Sequence, residues 1–372
     1  MKLVLTGAGG GHFYPLIAIS ERVEEEIKEQ KVMDLEMFFL SDNEYDKELL
    51  KSKKIKFIKI PAGKLRLYFS IKNFFDPFKS IIGFFIALWK LFWIYPDVVF
   101  VKGGYSSLPV ALAAKCLFIP IFVHESDSAP GKTTLLVSKL SKRIAVSYAN
   151  SVKYFNIKKT AYTGQPIMKE YLPTKEELDK KFSDYGEKKK KTILVLGGSQ
   201  GSEKINDILL DALPELLSKY NIIHQVGLNN INKMKIASEI LLKNVPDKDN
   251  YRFFSFGDLS KYYEMADICI TRAGSILFEL SAWGIPSIIV PITNSNNNHQ
   301  MTNAYTFEKA GCSIVIEEAN LKKGILLNAL NSILKDKEKY EKLKFNNLNN
   351  FKSGAAELIA KEIVKIGLSH NY

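Results

Sequence analysis

Two glycine-rich stretches, each set between an apolar run and a helical pattern, are the first residues in this sequence able to do chemistry. One is Thr6-Gly7-Ala8-Gly9-Gly10-Gly11-His12-Phe13-Tyr14-Pro15; the other is Gly197-Gly198-Ser199-Gln200-Gly201-Ser202. Glycine lets the backbone turn tightly and approach a ligand with no Cβ in the way. A helix that follows offers unbonded amides and a positive dipole end, which suit a phosphate. The competing reading of the first stretch is a dinucleotide loop. It fits poorly, because His12 and Pro15 fall where G-x-G-x-x-G needs close helix–sheet packing, and Asp42 is a weak acidic partner after the second strand. A tight turn alone would explain one such loop, but two in corresponding places point to phosphate.

Two further stretches add polar groups. In Arg272-Ala273-Gly274-Ser275-Ile276-Leu277-Phe278-Glu279 a lone acid enters an otherwise apolar helix just after a small-residue turn. Such a Glu is often a plain surface residue; at the end of a strand it suits a ribose diol. Residues 294–304, from Asn294 through His299 and Gln300 to Ala304, form a polar loop feeding a helix and able to bond sugar hydroxyls. A polar turn with Asn caps is the plainer alternative there.

These groups need strands and helices to hold them. Short apolar runs at 3–6, 37–40, 55–60, 98–102, 121–124 and 144–147 read as buried strands, with helical patterns such as 15–27 and 108–116 between them. That alternation predicts a parallel sheet covered on both faces. The rhythm restarts after Tyr171-Leu172-Pro173-Thr174, with strands expected at 192–196, 222–225, 268–271, 287–291 and 312–316 and a helix from about Glu203. The lysine run 188–191 reads as a solvated loop tip. The expected fold is α/β: two doubly wound, Rossmann-like domains facing a cleft, with ligands at strand carboxyl ends. The expected domains are 1–165, facing acceptor and membrane, and 166–350, binding a sugar nucleotide. A helix in 351–372 is expected to pack back on the first domain.

Composition narrows the partners. At 372 residues the chain exceeds one core of ordinary size. Its 52 basic against 40 acidic residues give +12, which favours nucleic acid, acidic lipid or a phosphorylated substrate. Cys116, Cys269 and Cys312 lack zinc or disulfide spacing and read as buried apolar residues in a reducing compartment. Met1 runs straight into a strand, so no signal peptide is expected and the chain should stay in the cytoplasm. Residues 64–95 hold eleven aromatics and five basic residues against Asp76. Their longest apolar run, 81–89, is too short to span a bilayer, so an interfacial segment, part of it core, is expected there.

Taken in order, the first loop, Gly103-Gly104-Tyr105-Ser106-Ser107, His124-Glu125, Gly164-Gln165-Pro166, the second loop, Arg272 to Glu279 and His299 to Ala304 resemble the MurG family of lipid-linked sugar transferases. The resemblance covers nearly the whole chain. It implies the GT-B fold and transfer of N-acetylglucosamine from UDP-N-acetylglucosamine to an undecaprenyl-linked muramyl-peptide. By the same likeness Gly9, Gly10, Gly11, Asp127 and Ser199 contact donor phosphate and sugar, and Phe256 meets uracil through its backbone. Ser275, Ile276, Leu277, Phe278 and Glu279 hold ribose and diphosphate, Gln300 binds the sugar, and Tyr105 and Glu125 lie on the acceptor side. The sequence departs from the family at Asp127, where asparagine is common, at Met168, where an arginine often faces the donor, and in a shorter stretch from Arg272 to Glu279. Lys169 and Lys204 are the candidate replacements for the arginine.

Sugar transfer needs an activated hydroxyl and a stabilised leaving diphosphate. His12, beside the first loop, is the candidate general base because an ordinary imidazole titrates near neutrality; a core histidine is the alternative. Loop amides and helix N-termini can meet the leaving charge, so no metal and no cofactor are expected. Asp247-Lys248-Asp249 has the D-x-D form of metal-dependent transferases but reads as a solvated turn after Pro246. Phe74, Phe75 and Phe78 are the expected membrane contacts, with anionic inner-leaflet lipid as partner at the cytoplasmic face. Other cell-wall synthesis proteins are expected partners and nucleic acid is not. Within this architecture the alternatives are a diacylglycerol glycosyltransferase, a UDP-N-acetylglucosamine 2-epimerase-like enzyme and an inactive sugar-nucleotide-binding module.

Overall fold

The structure, a computed structural model, describes residues 1–372 apart from 32–33, 65–71, 185–188, 199, 294–297 and 371–372; the side chains of 72–75, 184 and 370 also lie outside the description. The chain divides into two compact units, Met1–Lys169 together with Lys352–Tyr372, and Glu170–Phe351.

Unit 1 is a parallel sheet of seven strands: β1 (Lys2–Thr6), β2 (Glu36–Ser41), β3 (Ile55–Lys59), β4 (Val98–Val101), β5 (Ile121–Glu125), β6 (Arg143–Val146) and β7 (Thr160–Tyr162). Their order is β3-β2-β1-β4-β5-β6-β7. Central β1 and β4 are apolar on both faces because helices cover both, and Leu3, Val4, Val98 and Phe100 have no exposed surface. The expectation of a buried strand at 55–60 is corrected: β3 is an edge strand, and Lys56 and Lys59 point to solvent. Three-residue β7 gave no apolar signal in the sequence.

The helix Ala355–His370 packs on the first helix, Gly10–Glu29, burying Ile359, Ile363 and Val364. A surface pair, Arg22 to Glu357 at 2.9 Å, lies across that contact.

The aromatic stretch forms one helix, Lys72–Ile94, with two unlike faces. Ala87 and Leu91 are fully buried in one core cluster with Val110, Ala111 and Ala114 of the helix Ser107–Cys116. Gly83 lies so close to Pro61 that a Cβ would stand 1.9 Å from its carbonyl oxygen, so only glycine permits this approach. The other face is open: Ile81, Ile82, Phe85, Trp89, Phe92 and Trp93 are 54–66% exposed. Phe78 is exposed as well, whereas the side chains of Phe74 and Phe75 lie outside the described residues. Run length understates this helix. The helix extends past 81–89 at both ends, and Asp76–Ile94, with mean hydropathy 1.5, is long and apolar enough to cross a membrane.

Unit 2 repeats the pattern with β8 (Lys191–Leu196), β9 (Tyr220–Gln225), β10 (Tyr251–Phe254), β11 (Ile268–Thr271), β12 (Ser287–Ile289) and β13 (Ser313–Val315). All are parallel, in the order β10-β9-β8-β11-β12-β13. Its core joins Ile193, Val195, Ile222 and Ile268 of the sheet to Leu209 and Leu213 of the helix Glu203–Leu216. That helix starts where expected because Ser202 caps it, its Oγ accepting the Ile205 amide at 3.3 Å. The lysine run is not all loop: Lys191 opens β8, and Lys190 pairs with Asp247 at 2.9 Å. Lys248–Asn250 is a one-turn helix with no buried residue. Cys269 and Cys312 are buried, but Cys116, at the end of its helix, is exposed, against expectation.

Candidate functional site

Each sheet reverses its strand order once, between β1 and β4 and again between β8 and β11. Crevices at such reversals, outside the strand carboxyl ends, are where doubly wound folds bind ligands. Both glycine-rich loops lie there.

In unit 1 the first helix begins at Gly10, five residues ahead of Pro15, so half of the loop is its first turn. Gly9 caps it with φ +86°, a left-handed conformation that favours glycine. The first amides bonded to Gly9 are those of His12 and Phe13, both at 3.1 Å, which leaves amides 10 and 11 ahead of the ladder. A Cβ on Gly9 or Gly11 would meet nothing within 4 Å, so this backbone is open to a ligand. His12 stands half-buried on the same turn. The Ala8 amide donates to Gly103 O at 3.2 Å and stitches the loop to the end of β4.

Beneath the loop lies a buried polar cluster that the sequence did not reveal. Lys102, 1% exposed, donates to Ser126 Oγ. Ser126 and Ser147 donate to Gln165 Oε1 at 3.1 and 2.6 Å, and Ser147 also meets His124 Nε2 at 3.3 Å. Burial holds the Lys102 ammonium down, with Glu125 and Asp127 acting the other way. Burial and Asp127 push the Glu125 carboxyl up. Glu125 ends β5, and its two oxygens accept the amides of Asp127 at 2.9 Å and Gly131 at 3.3 Å. It therefore shapes its own loop. The Tyr105 hydroxyl donates to Asp42, the acid weighed above in the dinucleotide-loop reading. Lys102 left one hint, a lysine closing an otherwise apolar central strand.

In unit 2 the second loop is tighter. Gly201 has φ +78°, and a Cβ there would fall 2.1 Å from Val226 O. Gly198 faces open space, and Ser199 lies outside the described residues. Arg272 donates to Val290 O at 2.9 Å, to Ser202 Oγ at 2.6 Å and to the Glu318 carboxylate. Its guanidinium thus braces the ends of β8, β11 and β12. The helix Ile276–Ala282 follows, and its earliest amide bonds are Leu277 to Gly274 O and Phe278 to Ser275 O. The amides of Ser275 and Ile276 precede them. Leu277 and Phe278 turn their side chains into the core, so only their backbone can meet a ligand.

Glu279 stands half-buried in the first turn of that helix. Burial pushes its carboxyl up to about 7, while a hydrogen bond from the Tyr263 hydroxyl to Oε2 works in the other direction. Gln300 Oε1 accepts the Ile292 amide at 3.1 Å, and Asn303 Nδ2 donates to Ala273 O at 3.1 Å. These two bonds tie the helix His299–Lys309 to the loops after β12 and β11. Residues 294–297 of the polar stretch lie outside the described residues. Phe256 follows β10 and is 36% exposed. Met168 is buried, Lys169 lies 3.7 Å from Glu25 within unit 1, and Lys204 is exposed on the first turn of the helix after the second loop.

Comparison with known proteins gives this geometry its family. Residues 3–146 match the glycosyltransferase family 28 N-terminal domain and residues 192–359 its C-terminal domain. The UDP-N-acetylglucosamine–N-acetylmuramyl-(pentapeptide) pyrophosphoryl-undecaprenol N-acetylglucosamine transferase of Clostridium perfringens is 35% identical over 365 residues, 97% of this chain and 98% of that protein. The crystal structure of Acinetobacter baumannii MurG superposes with a TM-score of 0.74 at 23% identity, covering 98% of this chain and 99% of that one. The UDP-GlcNAc 2-epimerase of Neisseria meningitidis, bound to UDP-GlcNAc, shares the fold at a TM-score of 0.66 and 16% identity, covering 98% and 100%. Near-identical length, both family 28 domains and curated relatives at 32–35% identity agree, and the chain belongs to the MurG family of UDP-sugar glycosyltransferases.

Proposed function

We propose that this chain transfers N-acetylglucosamine from UDP-N-acetylglucosamine to the muramyl 4-hydroxyl of undecaprenyl-diphosphate-linked N-acetylmuramyl-pentapeptide, the lipid I to lipid II step of peptidoglycan synthesis. The observation that carries this reading is full-length likeness to relatives named for that reaction. The paired, glycine-lined turns at the two sheet reversals support it. On the donor side, in unit 2, the Ser275 and Ile276 amides and the open backbone at Gly198 meet the diphosphate. Leu277 and Phe278 contribute through their backbone alone. Glu279 takes the ribose hydroxyls, Gln300 the sugar, and the backbone of Phe256 the uracil ring. Ser199 and Asp127 complete the donor contacts. In unit 1 the backbone of Gly9 to Gly11 also meets phosphate, and His12 removes the proton from the acceptor hydroxyl. Glu125 keeps the acceptor loop in shape, and Tyr105 lines the same side.

The chemistry is a single displacement. The hydroxyl oxygen attacks the anomeric carbon as the bond to UDP breaks, its proton passes to His12, and the α-linked donor becomes a β-linked product. Amides already aimed at the diphosphate stabilise the charge it gains, with no reorganisation at the moment of reaction. The open face of the helix Lys72–Ile94 docks on the anionic inner leaflet, making this a peripheral protein of the cytoplasmic face.

Incubation with labelled UDP-N-acetylglucosamine and a short-chain lipid-linked muramyl acceptor tests the reaction. The expected product is the lipid-linked disaccharide, with UDP released only when acceptor is present. Isomerisation of the donor without acceptor would instead assign the chain to the epimerases that share its fold.

A further inference from the structure

Tyr263 is among the largest side chains of the molecule with no exposed surface. It lies on the short helix Ser260–Met265, and its ring is held on two sides. Tyr171 meets it edge-on at 6.3 Å and Trp283 lies tilted against it at 6.4 Å, with Trp283 Nε1 itself donating to Tyr171 O at 2.8 Å. Buried Lys181 clamps the end of that helix, donating to Tyr263 O at 2.9 Å and Glu264 O at 3.0 Å. The phenol cannot swing away. Its hydroxyl donates to Glu279 Oε2, while Oε1 has no hydrogen-bond partner among the described residues, in a side chain that is only half-buried.

We propose that Tyr263 is a positioning residue of the donor site, fixing one carboxylate oxygen of Glu279 so that the other is held ready for the vicinal hydroxyls of a ribose. The proposal rests on the reading of Glu279 as the ribose ligand. It adds the group that sets the angle and the charge of that ligand. A carboxylate accepts from both hydroxyls of a diol, and a protonated carboxyl has given up part of that capacity. Burial favours the protonated form of Glu279, and the bond from Tyr263 opposes it. Burial and Glu279 together hold the Tyr263 phenol well above its usual range, so it stays a donor. The other titratable groups around the pair are Cys269 on β11, Tyr171, and Lys181 at the Tyr263 carbonyl.

Calorimetric titration with UDP-N-acetylglucosamine between pH 6 and 8.5 tests this, because the donor's diphosphate diester does not itself titrate in that window. The parent should bind more tightly as pH rises through neutrality. Tyr263→Phe keeps the ring and its packing but loses the hydroxyl. It should bind about tenfold more weakly at pH 7, the usual worth of a hydrogen bond to a charged group. Its pH midpoint should move upward, so that the deficit narrows by pH 8.5. Glu279→Gln should bind weakly with a flat profile. If Tyr263→Phe matches the parent while Glu279→Gln is weak, Glu279 binds ribose and Tyr263 does not position it. A deficit in Tyr263→Phe that is equal at every pH reports loosened packing and also overturns the proposal. Parent-like binding by Glu279→Gln removes the ribose assignment itself.

Discussion

The two faces of the helix Lys72–Ile94 allow docking to be separated from folding. Phe85, Trp89 and Phe92 follow one another at four and three residues, so they form a single stripe, and each is about three-fifths exposed. A ring of this kind covers roughly 150–250 Å² when buried, so roughly 90–150 Å² of each is open to solvent. Three such rings at about 25 cal/mol per Å² correspond to roughly 7–11 kcal/mol on full burial, and an interface that takes in half of that surface gains about 4–5 kcal/mol. Replacing all three with Ser should lower partitioning onto vesicles by about 10³-fold or more, since each 1.4 kcal/mol is a factor of ten. Transfer to a bilayer-embedded acceptor should slow accordingly, while the rate on a short-chain soluble acceptor is kept. Melting should barely change. Leu91→Ala, on the buried face, should do the opposite: about 2–5 kcal/mol of stability lost with the open stripe intact. Flotation with phosphatidylglycerol-rich and neutral vesicles, paired with thermal denaturation, reads both effects. Equal flotation of parent and triple variant, or a fall in melting temperature for the triple variant as large as that for Leu91→Ala, would refute the assignment of faces.

Four further outcomes follow from the sites. His12→Ala should cut turnover by about 10²–10⁴-fold with UDP affinity unchanged; steady-state kinetics beside calorimetry checks both. Gln300→Ala should weaken UDP-N-acetylglucosamine but not UDP, and parallel titrations with the two ligands would expose any equal loss. Lys102→Met takes the donor from buried Ser126 and removes the charge that opposes the rise of the Glu125 carboxyl, and should destabilise unit 1 by about 1–3 kcal/mol. Asp127→Asn in that background should recover part of the loss in denaturant melts. His224, bonded to Tyr251 Oη and Asn206 Oδ1 at 3.0 Å each, is held by burial at about 3 against 6.5 in the free side chain. The unfolded chain therefore takes up its proton first. The stability is present in full above pH 6.5 and declines as pH falls toward 3, by up to about 1.4 kcal/mol per pH unit. His224→Gln should flatten that slope in melts run across the same range.

What could be read from sequence and what could not divide along physical lines. β1, β4, β8 and β11 were legible because a strand covered on both faces must be apolar throughout, and such runs stand out. β3, β7 and β10 were misjudged or missed for the converse reason: an edge strand carries Lys56 or Arg252 without penalty, and three residues make no pattern. The start of the first helix was placed at Pro15 since proline favours an initial turn, yet the glycines before it are already helical. Residues of the glycine loops and Glu279 could be named because their types sit at fixed offsets from strand ends. Lys102 and Tyr263 could not. A lysine is ordinarily solvated and a tyrosine ordinarily core, and only the fold brings Lys102 to Ser126 or carries Tyr263 across sixteen residues to Glu279.

The chain leaves unit 1 at residue 169 and returns to it at 352, so unit 2 is an insertion within unit 1. Synthesis then runs in an unusual order. All of unit 2 has left the ribosome before the helix Ala355–His370 appears, and it is the first of the two able to complete its core. Unit 1, although begun first, must wait with the side of its first helix that receives Ile359 and Ile363 uncovered. At about 5–20 residues per second, the stretch 170–351 takes roughly 10–40 s to make, long enough for a half-built sheet with an apolar flank to meet other chains. A holding chaperone that recognises apolar helix faces is the natural guardian of that interval, and unit 1 rather than unit 2 is where nascent aggregation should begin.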